Sequence, residues 1–161
     1  MAAPGEVYLD TCRNPYHDTP RLSGSVRMER KVRILVVDDE VDIAKSAAEV
    51  IERLVPNCEA EWAPSCAGGL AALSRAPFDA VVVDYRMPDK SGLEFIRRAR
   101  DLEPGLPIVL MTAYASMDVA TQAINVAHVD AFLRKPVHPE ALARAITAAI
   151  GGEGEPTAVT A

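Results

Sequence analysis

Nowhere in the 161 residues do about 18 apolar side chains run together, which removes a membrane-spanning helix of ordinary length. The N-terminus, MAAPGEVYLDTCRN, has no basic start followed by an apolar core, so it does not read as a secretory signal peptide. Cysteine is scarce. Cys12, Cys58 and Cys66 form no close-spaced metal pair, and an odd count makes a poor disulfide framework, so a reducing compartment and by default the cytoplasm is expected. Basic charge is short as well: 17 lysines and arginines against 23 acids leave a formal net charge of -6, which argues against direct nucleic-acid binding. No Gly-rich phosphate loop follows the first apolar run, so neither a dinucleotide fold nor a P-loop NTPase is expected.

What is present is an alternation. Residues 1–30 carry scattered charge, prolines and glycines with no sustained period, and read as a flexible arm. From residue 31 to 150 short apolar runs without a polar face alternate with stretches of helical period. VRILVVD, CEAEWA, FDAVVVD, LPIVLMTA and DAFLRKP are the expected strands. Residues 42–54, 67–74, 93–101, 118–126 and 139–150 are the expected helices, the last opened by Pro139. The first helix shows an apolar stripe of Ile43, Ala47, Val50, Ile51 and Leu54, and the last shows Leu142, Ala145, Ile146 and Ala149. Five βα repeats in about 120 residues predict a doubly wound α/β fold with a parallel sheet covered on both faces by five helices. Residues 151–161, GGEGEPTAVTA, read as a tail or linker remnant.

In an open α/β sheet the ligand site lies beyond the carboxyl ends of the strands. The first strand ends in Asp38 and Asp39, the third in Asp84, the fourth in Thr112 and the fifth in Lys135. Singly, each has an ordinary use: an aspartate caps the first helix, Asp84 steadies the turn before Pro88, and Lys135 sits on the surface. Together they are harder to explain that way. Three neighbouring carboxylates would push one pKa up sharply unless cations compensate, and a divalent metal with the Lys135 ammonium is the economical pair. An all-oxygen donor set suits Mg2+ or Mn2+ better than zinc. With no strong general base nearby, the carboxylate itself is the expected nucleophile in a phosphoryl transfer, and Asp84, ending a central buried strand, is the best placed.

At this point ILVVDDE (34–40), VVVDYRMPDKSG (81–92), VLMTAY (109–114) and FLRKP (132–136) resemble, in order and spacing, the receiver domain of two-component response regulators. The resemblance implies a five-stranded sheet of order 2-1-3-4-5. It implies that Asp84 accepts a phosphoryl group from a sensor histidine kinase or phosphotransfer protein. Asp38, Asp39, Asp84 and the main-chain carbonyl of Arg86 would hold Mg2+, with Thr112 and Lys135 contacting the phosphoryl group. Pro136 matches a cis-proline and Gly92 a tight turn before the third helix. Thr112 and Phe132 match a switch pair, in which the aromatic ring moves from an outward to a buried rotamer and alters a protein-interaction surface.

The chain departs from the family pattern at AHVDAF, with His128 where glycine is usual and Asp130 one position early. An altered end to the fourth helix is expected, since a helix closing in left-handed backbone tolerates His poorly. The resemblance puts Tyr114 and Arg86 at positions that influence phosphoryl lifetime, and a bulky ring and a long cation there imply slower self-hydrolysis. Self-phosphorylation from small phosphodonors with Mg2+ is expected, without a classified enzyme activity. The expected partners are the kinase, a downstream protein target and, through the alanine-rich last helix, a second copy of the chain. No membrane and no nucleic acid is expected to bind this segment. Alternative readings are a receiver module of a longer transcriptional regulator or hybrid kinase, a degenerate receiver serving as a scaffold, and a metal-dependent phosphatase. Cys12 with His17 makes no site; Trp62 and Cys66 read as packing residues and His138 as solvent-facing.

Overall fold

A computed structural model describes residues 30–113, 118, 121, 123, 125, 127–152 and 157–159. The strands are β1 (Val32–Val37), β2 (Cys58–Ala63), β3 (Ala80–Asp84), β4 (Ile108–Thr112), β5 (Ala131–Arg134) and β6 (Thr157–Val159). The helices are α1 (Val41–Leu54), α2 (Cys66–Arg75), α3 (Gly92–Leu102) and α4 (Pro139–Gly151). All strand pairs are parallel, in the order β2-β1-β3-β4-β5-β6. The expected 2-1-3-4-5 order is therefore present, extended at the far edge by a strand from the segment that reads as a tail.

The strands are apolar on both faces because both faces are covered. Side chains alternate across the sheet. Leu35, Val37, Val81, Val83, Ile108 and Leu110 enter one core with Phe95, Ile96 and Ala72. Ile34, Val36, Val82, Val109 and Leu133 enter a second with Ala44, Ile51, Leu142 and Ile146. Serines start two helices: Ser65 Oγ accepts the Gly68 N–H at 3.0 Å, and Ser91 Oγ the Glu94 N–H at 3.3 Å.

Two expectations about the helices are corrected. The buried stripe of α1 is Ala44, Ala48 and Ile51, while Ile43 and Leu54 are exposed. The helix is turned so that its small residues meet the sheet and neighbouring α4, a close approach that the bulkier stripe would prevent. Second, there are four helices among the described residues, not five. Over the expected fourth helix, 118–126, the described residues are Asp118, Thr121, Ala123 and Asn125, whose backbone is helical, and no element is defined there. Val119, Thr121, Ile124 and Val126 put four β-branched residues in nine, which lowers helix propensity. The rest of that segment, Tyr114 and the arm before residue 30 lie outside the described residues.

Just beyond it, His128 holds a positive φ of 49°. The Arg100 guanidinium secures that turn by donating to the carbonyls of His128 (2.8 Å), Pro104 (3.0 Å) and Leu106. Asp130, the residue one position early, uses a carboxylate oxygen to accept the Ile108 N–H at 2.8 Å and so ties the start of β4. The unusual sequence thus has its own local hydrogen bonds.

Candidate functional site

Three polar side chains are buried among the described residues: Asp38 (0 % exposed), Asp84 (7 %) and Thr112 (1 %). All three stand at the carboxyl ends of the central strands, where the chain order reverses between β1 and β3. Asp39, half-buried, joins them. One carboxylate oxygen each from Asp38, Asp39 and Asp84 lies within 4.8 Å of the others, close enough to share a cation. The Lys135 ammonium, carried just past β5, donates to Asp38 at 2.9 Å and sits 3.1 Å from Asp84.

Local backbone explains how each group gets there. The ordinary capping use of the acidic pair does not hold: Glu40 is the N-cap of α1 and makes no side-chain cap bond. Asp38 instead accepts the Glu40 N–H at 3.0 Å, and its own N–H donates to the Ala63 carbonyl at 3.1 Å. It is thereby fixed across the β1–β2 junction. Behind Asp84, the Tyr85 N–H donates to the Met111 carbonyl, and the Lys135 N–H donates to the Thr112 carbonyl, both at 2.8 Å. The Lys135–Pro136 peptide is cis.

Gly92 matters for a different reason from the turn expected of it. A Cβ there would lie 2.3 Å from the Asp84 carbonyl oxygen and 2.9 Å from the Tyr85 Cα. Only a hydrogen fits beneath the Asp84 backbone, and the Gly92 N–H closes the loop onto the Tyr85 carbonyl at 2.8 Å. Met87, which sequence reasoning passed over, anchors the same loop by burying its side chain in the core on the α3 face. Its signal was present, as the lone large apolar residue in YRMPDKSG. Arg86 is exposed in this loop. Phe132 on β5 is 6 % exposed and packs in the same core.

The charges do not balance. Burial pushes the Asp84 carboxyl pKa up, Lys135 opposes this, and the charges of Asp38 and Asp39 add to it; the net direction is upward. Burial by itself would lower Lys135, yet its bonds and charges with Asp38 and Asp84 outweigh that and hold it above the usual lysine range. An isolated ion pair would move its two members in opposite directions. Both rise here because Asp84 is buried, beside two further anions, while one ammonium serves two acids. One cation against three carboxylates leaves room for a divalent ion, and the oxygen donor set fits a hard one such as Mg2+.

Residues 34–147 match the family model described as the response regulator receiver domain. The response regulator protein PilR of Pseudomonas aeruginosa is 35 % identical over 105 residues, which cover 65 % of this chain and 23 % of that protein. The photosynthetic apparatus regulatory protein RegA of Rhodovulum sulfidophilum is 33 % identical over 122 residues, covering 76 % of this chain and 63 % of RegA. Among solved structures, a CheY-like receiver domain protein from Methanospirillum hungatei superposes with a TM-score of 0.70 at 32 % identity, covering 76 % of this chain and 95 % of that one. The chain thus spans about a quarter of PilR and under two thirds of RegA, and nearly the whole of an isolated receiver. With the parallel sheet and the acidic cluster of Asp38, Asp39 and Asp84, these matches make the chain a member of the response regulator receiver family.

Proposed function

We propose that this receiver takes a phosphoryl group onto Asp84 from the phosphohistidine of a sensor kinase or phosphotransfer protein. An Asp84 carboxylate oxygen forms the new O–P bond as the N–P bond breaks, and the imidazole leaves as the neutral base after taking up a proton. The observation that carries this reading is the concentration of buried polar side chains at one spot, with Lys135 bridging Asp38 and Asp84. Asp38, Asp39, Asp84 and the Arg86 carbonyl would hold Mg2+, which when bound offsets the charge gathering on the phosphoryl oxygens. Lys135 is positioned to neutralise one such oxygen, and Thr112, ending β4, to hydrogen-bond another.

The signal passes on as a changed surface around β5, read by a protein target. The matched relatives bear different outputs in their names, a transcriptional regulator in ZraR and a cyclic di-GMP phosphodiesterase in RpfG, so a receiver of this kind serves more than one. A module within a longer regulator is the second reading, favoured by the short span of this chain on PilR and ZraR.

Incubation with acetyl phosphate and Mg2+, followed by intact-mass measurement, tests the chemistry. A gain of about 80 Da, one phosphoryl group, is expected in wild type and absent in Asp84→Asn. The same gain in both would move the acceptor elsewhere.

A further inference from the structure

The strand beyond β5 has no counterpart in the five-stranded sheet expected from the sequence. Its register is defined: Ala131 pairs with Thr157, Phe132 with Ala158 and Leu133 with Val159. Without it, β5 would present an open edge of four residues, three of them buried and apolar, the kind of edge that other strands pair with. The covered strand is the one that carries Phe132 and leads directly into Lys135, whose side chain reaches Asp38 and Asp84.

The cover is lightly attached. It is three residues long and joined to α4 through GEGEP, a stretch with two glycines and two acids and no large apolar side chain to bury. Gly152 ends α4 in left-handed backbone, φ 66°, with open space around it. Its detachment breaks the ladder to β5 and its approach to α4, and leaves the pairing of β1, β3 and β4 in place.

We propose that the outer edge of β5 is a strand-docking surface, filled in cis by Thr157–Val159 and vacated when the Asp84 site is loaded. This rests on the phosphoryl-acceptor reading and adds a regulatory element to it. New oxygens on Asp84 draw the Lys135 ammonium toward β3 and β4. Lys135 follows β5 by one residue and is tied to β4 through the Thr112 carbonyl, so β5 shifts inward and away from β6. Release frees the edge for a partner's extended segment, the strand-addition mode of recognition. Because coupling between two binding events is reciprocal, loading and β6 docking weaken each other by the same factor, so a chain whose β6 cannot dock loads more tightly, by at most that factor.

The test uses the full chain, hydrogen exchange of the amides of β5 and β6, and Mg2+ with beryllium fluoride as a non-transferable stand-in for the phosphoryl group. In a parallel strand the N–H groups of alternate residues face the neighbour, so of Thr157→Pro and Ala158→Pro one removes a ladder donor and the other does not. The donor-removing variant should speed exchange along β5 at least tenfold and bind beryllium fluoride at least fivefold more tightly. Its sister should change both less, and β3 amides should stay protected in both. Loading of wild type should speed exchange of 157–159. Equal exchange in wild type and both variants overturns the strand cover. Faster exchange with unchanged beryllium fluoride affinity overturns the gate. Failure of wild type to bind the probe at all, with β5 still protected by β6, overturns the acceptor reading and the gate while leaving the cover standing.

Discussion

At Asp84, burial and the neighbouring anions both penalise the charged form, and Lys135 only partly offsets them. The folded-state pKa therefore lies above the unfolded one. Such a group contributes most to stability at low pH, below its unfolded value, and that contribution is lost as pH rises through the folded pKa. Asp84→Asn, neutral throughout, should thus be more stable than wild type at pH 7, by about 1 kcal/mol, as at other sites where function opposes stability. The advantage should shrink as pH falls through the folded pKa and vanish toward about pH 3, roughly a unit below the unfolded aspartate value, where aspartates are protonated in either state. Urea melts of both proteins across pH 3–8 would read this, and a wild type more stable than the variant at neutral pH would contradict it. Replacing Lys135 acts the other way on stability. Replacing it by Met leaves Asp38, fully buried, without its cation, and breaking a buried pair in this way costs about 3–5 kcal/mol. A loss under 1 kcal/mol in denaturant melts would mean that Asp38 has other compensation.

Among the elements, the loop from β3 to α3 is the most constrained. It leaves Asp84, buries Met87 and returns to pass Gly92 directly under the Asp84 carbonyl. Gly92→Ala forces a Cβ against main-chain atoms that have no room to yield. We expect a loss of about 1–3 kcal/mol, typical of overpacking, together with a slower gain of phosphoryl mass from acetyl phosphate. Gly68→Ala is the control: its tightest Cβ contact would be the Ser65 Oγ at 3.2 Å, a side-chain atom rather than the Asp84 backbone, and acceptance of phosphate should be kept. Equal effects of the two changes on phosphorylation would remove Gly92 from the positioning of Asp84. At the opposite edge of the sheet, β2 is held by side chains. The Glu52 carboxylate accepts the Ala60 N–H at 3.0 Å, and the Lys45 ammonium lies 5.2 Å from the centre of the Trp62 ring. Burial, with Glu52, Asp79 and Glu59, pushes the Cys58 thiol up to about 11, which marks it as a packing cysteine rather than a reactive one.

For the molecule as a whole, a site with surplus negative charge and a cation to gain should be more stable with magnesium than without. Ligand linkage gives about 2.7 kcal/mol at a hundredfold excess over Kd. Thermal melts with and without MgCl2 would show it as a rise in Tm. Asp39→Asn removes one donor while leaving the buried Asp38–Lys135–Asp84 contacts in place, and should abolish most of that rise. An equal rise in wild type and Asp39→Asn would place the magnesium elsewhere. None of the described helices is long and apolar enough to cross a membrane.

The residue types and their order determined the sheet and the list of groups at its carboxyl end. Short β-branched runs such as VVVD suit strands buried on both faces, and βα alternation in a chain this short leaves few topologies. Asp38, Asp39, Asp84, Thr112 and Lys135 were legible for that reason. Tertiary structure alone decided which acids Lys135 would bridge, because Asp38 and Lys135 are 97 residues apart and meet only through the strand order. It decided that α1 turns its alanines inward, a matter of how closely a helix can approach a sheet and a neighbouring helix. It placed Gly92 under the Asp84 backbone, a contact that no local pattern encodes. Thr157–Val159 forms a strand against the open edge of β5: hydrogen bonding between strands is a property of the pair, and three residues behind a Gly- and Glu-rich stretch carry little sign of it until the neighbour is in place.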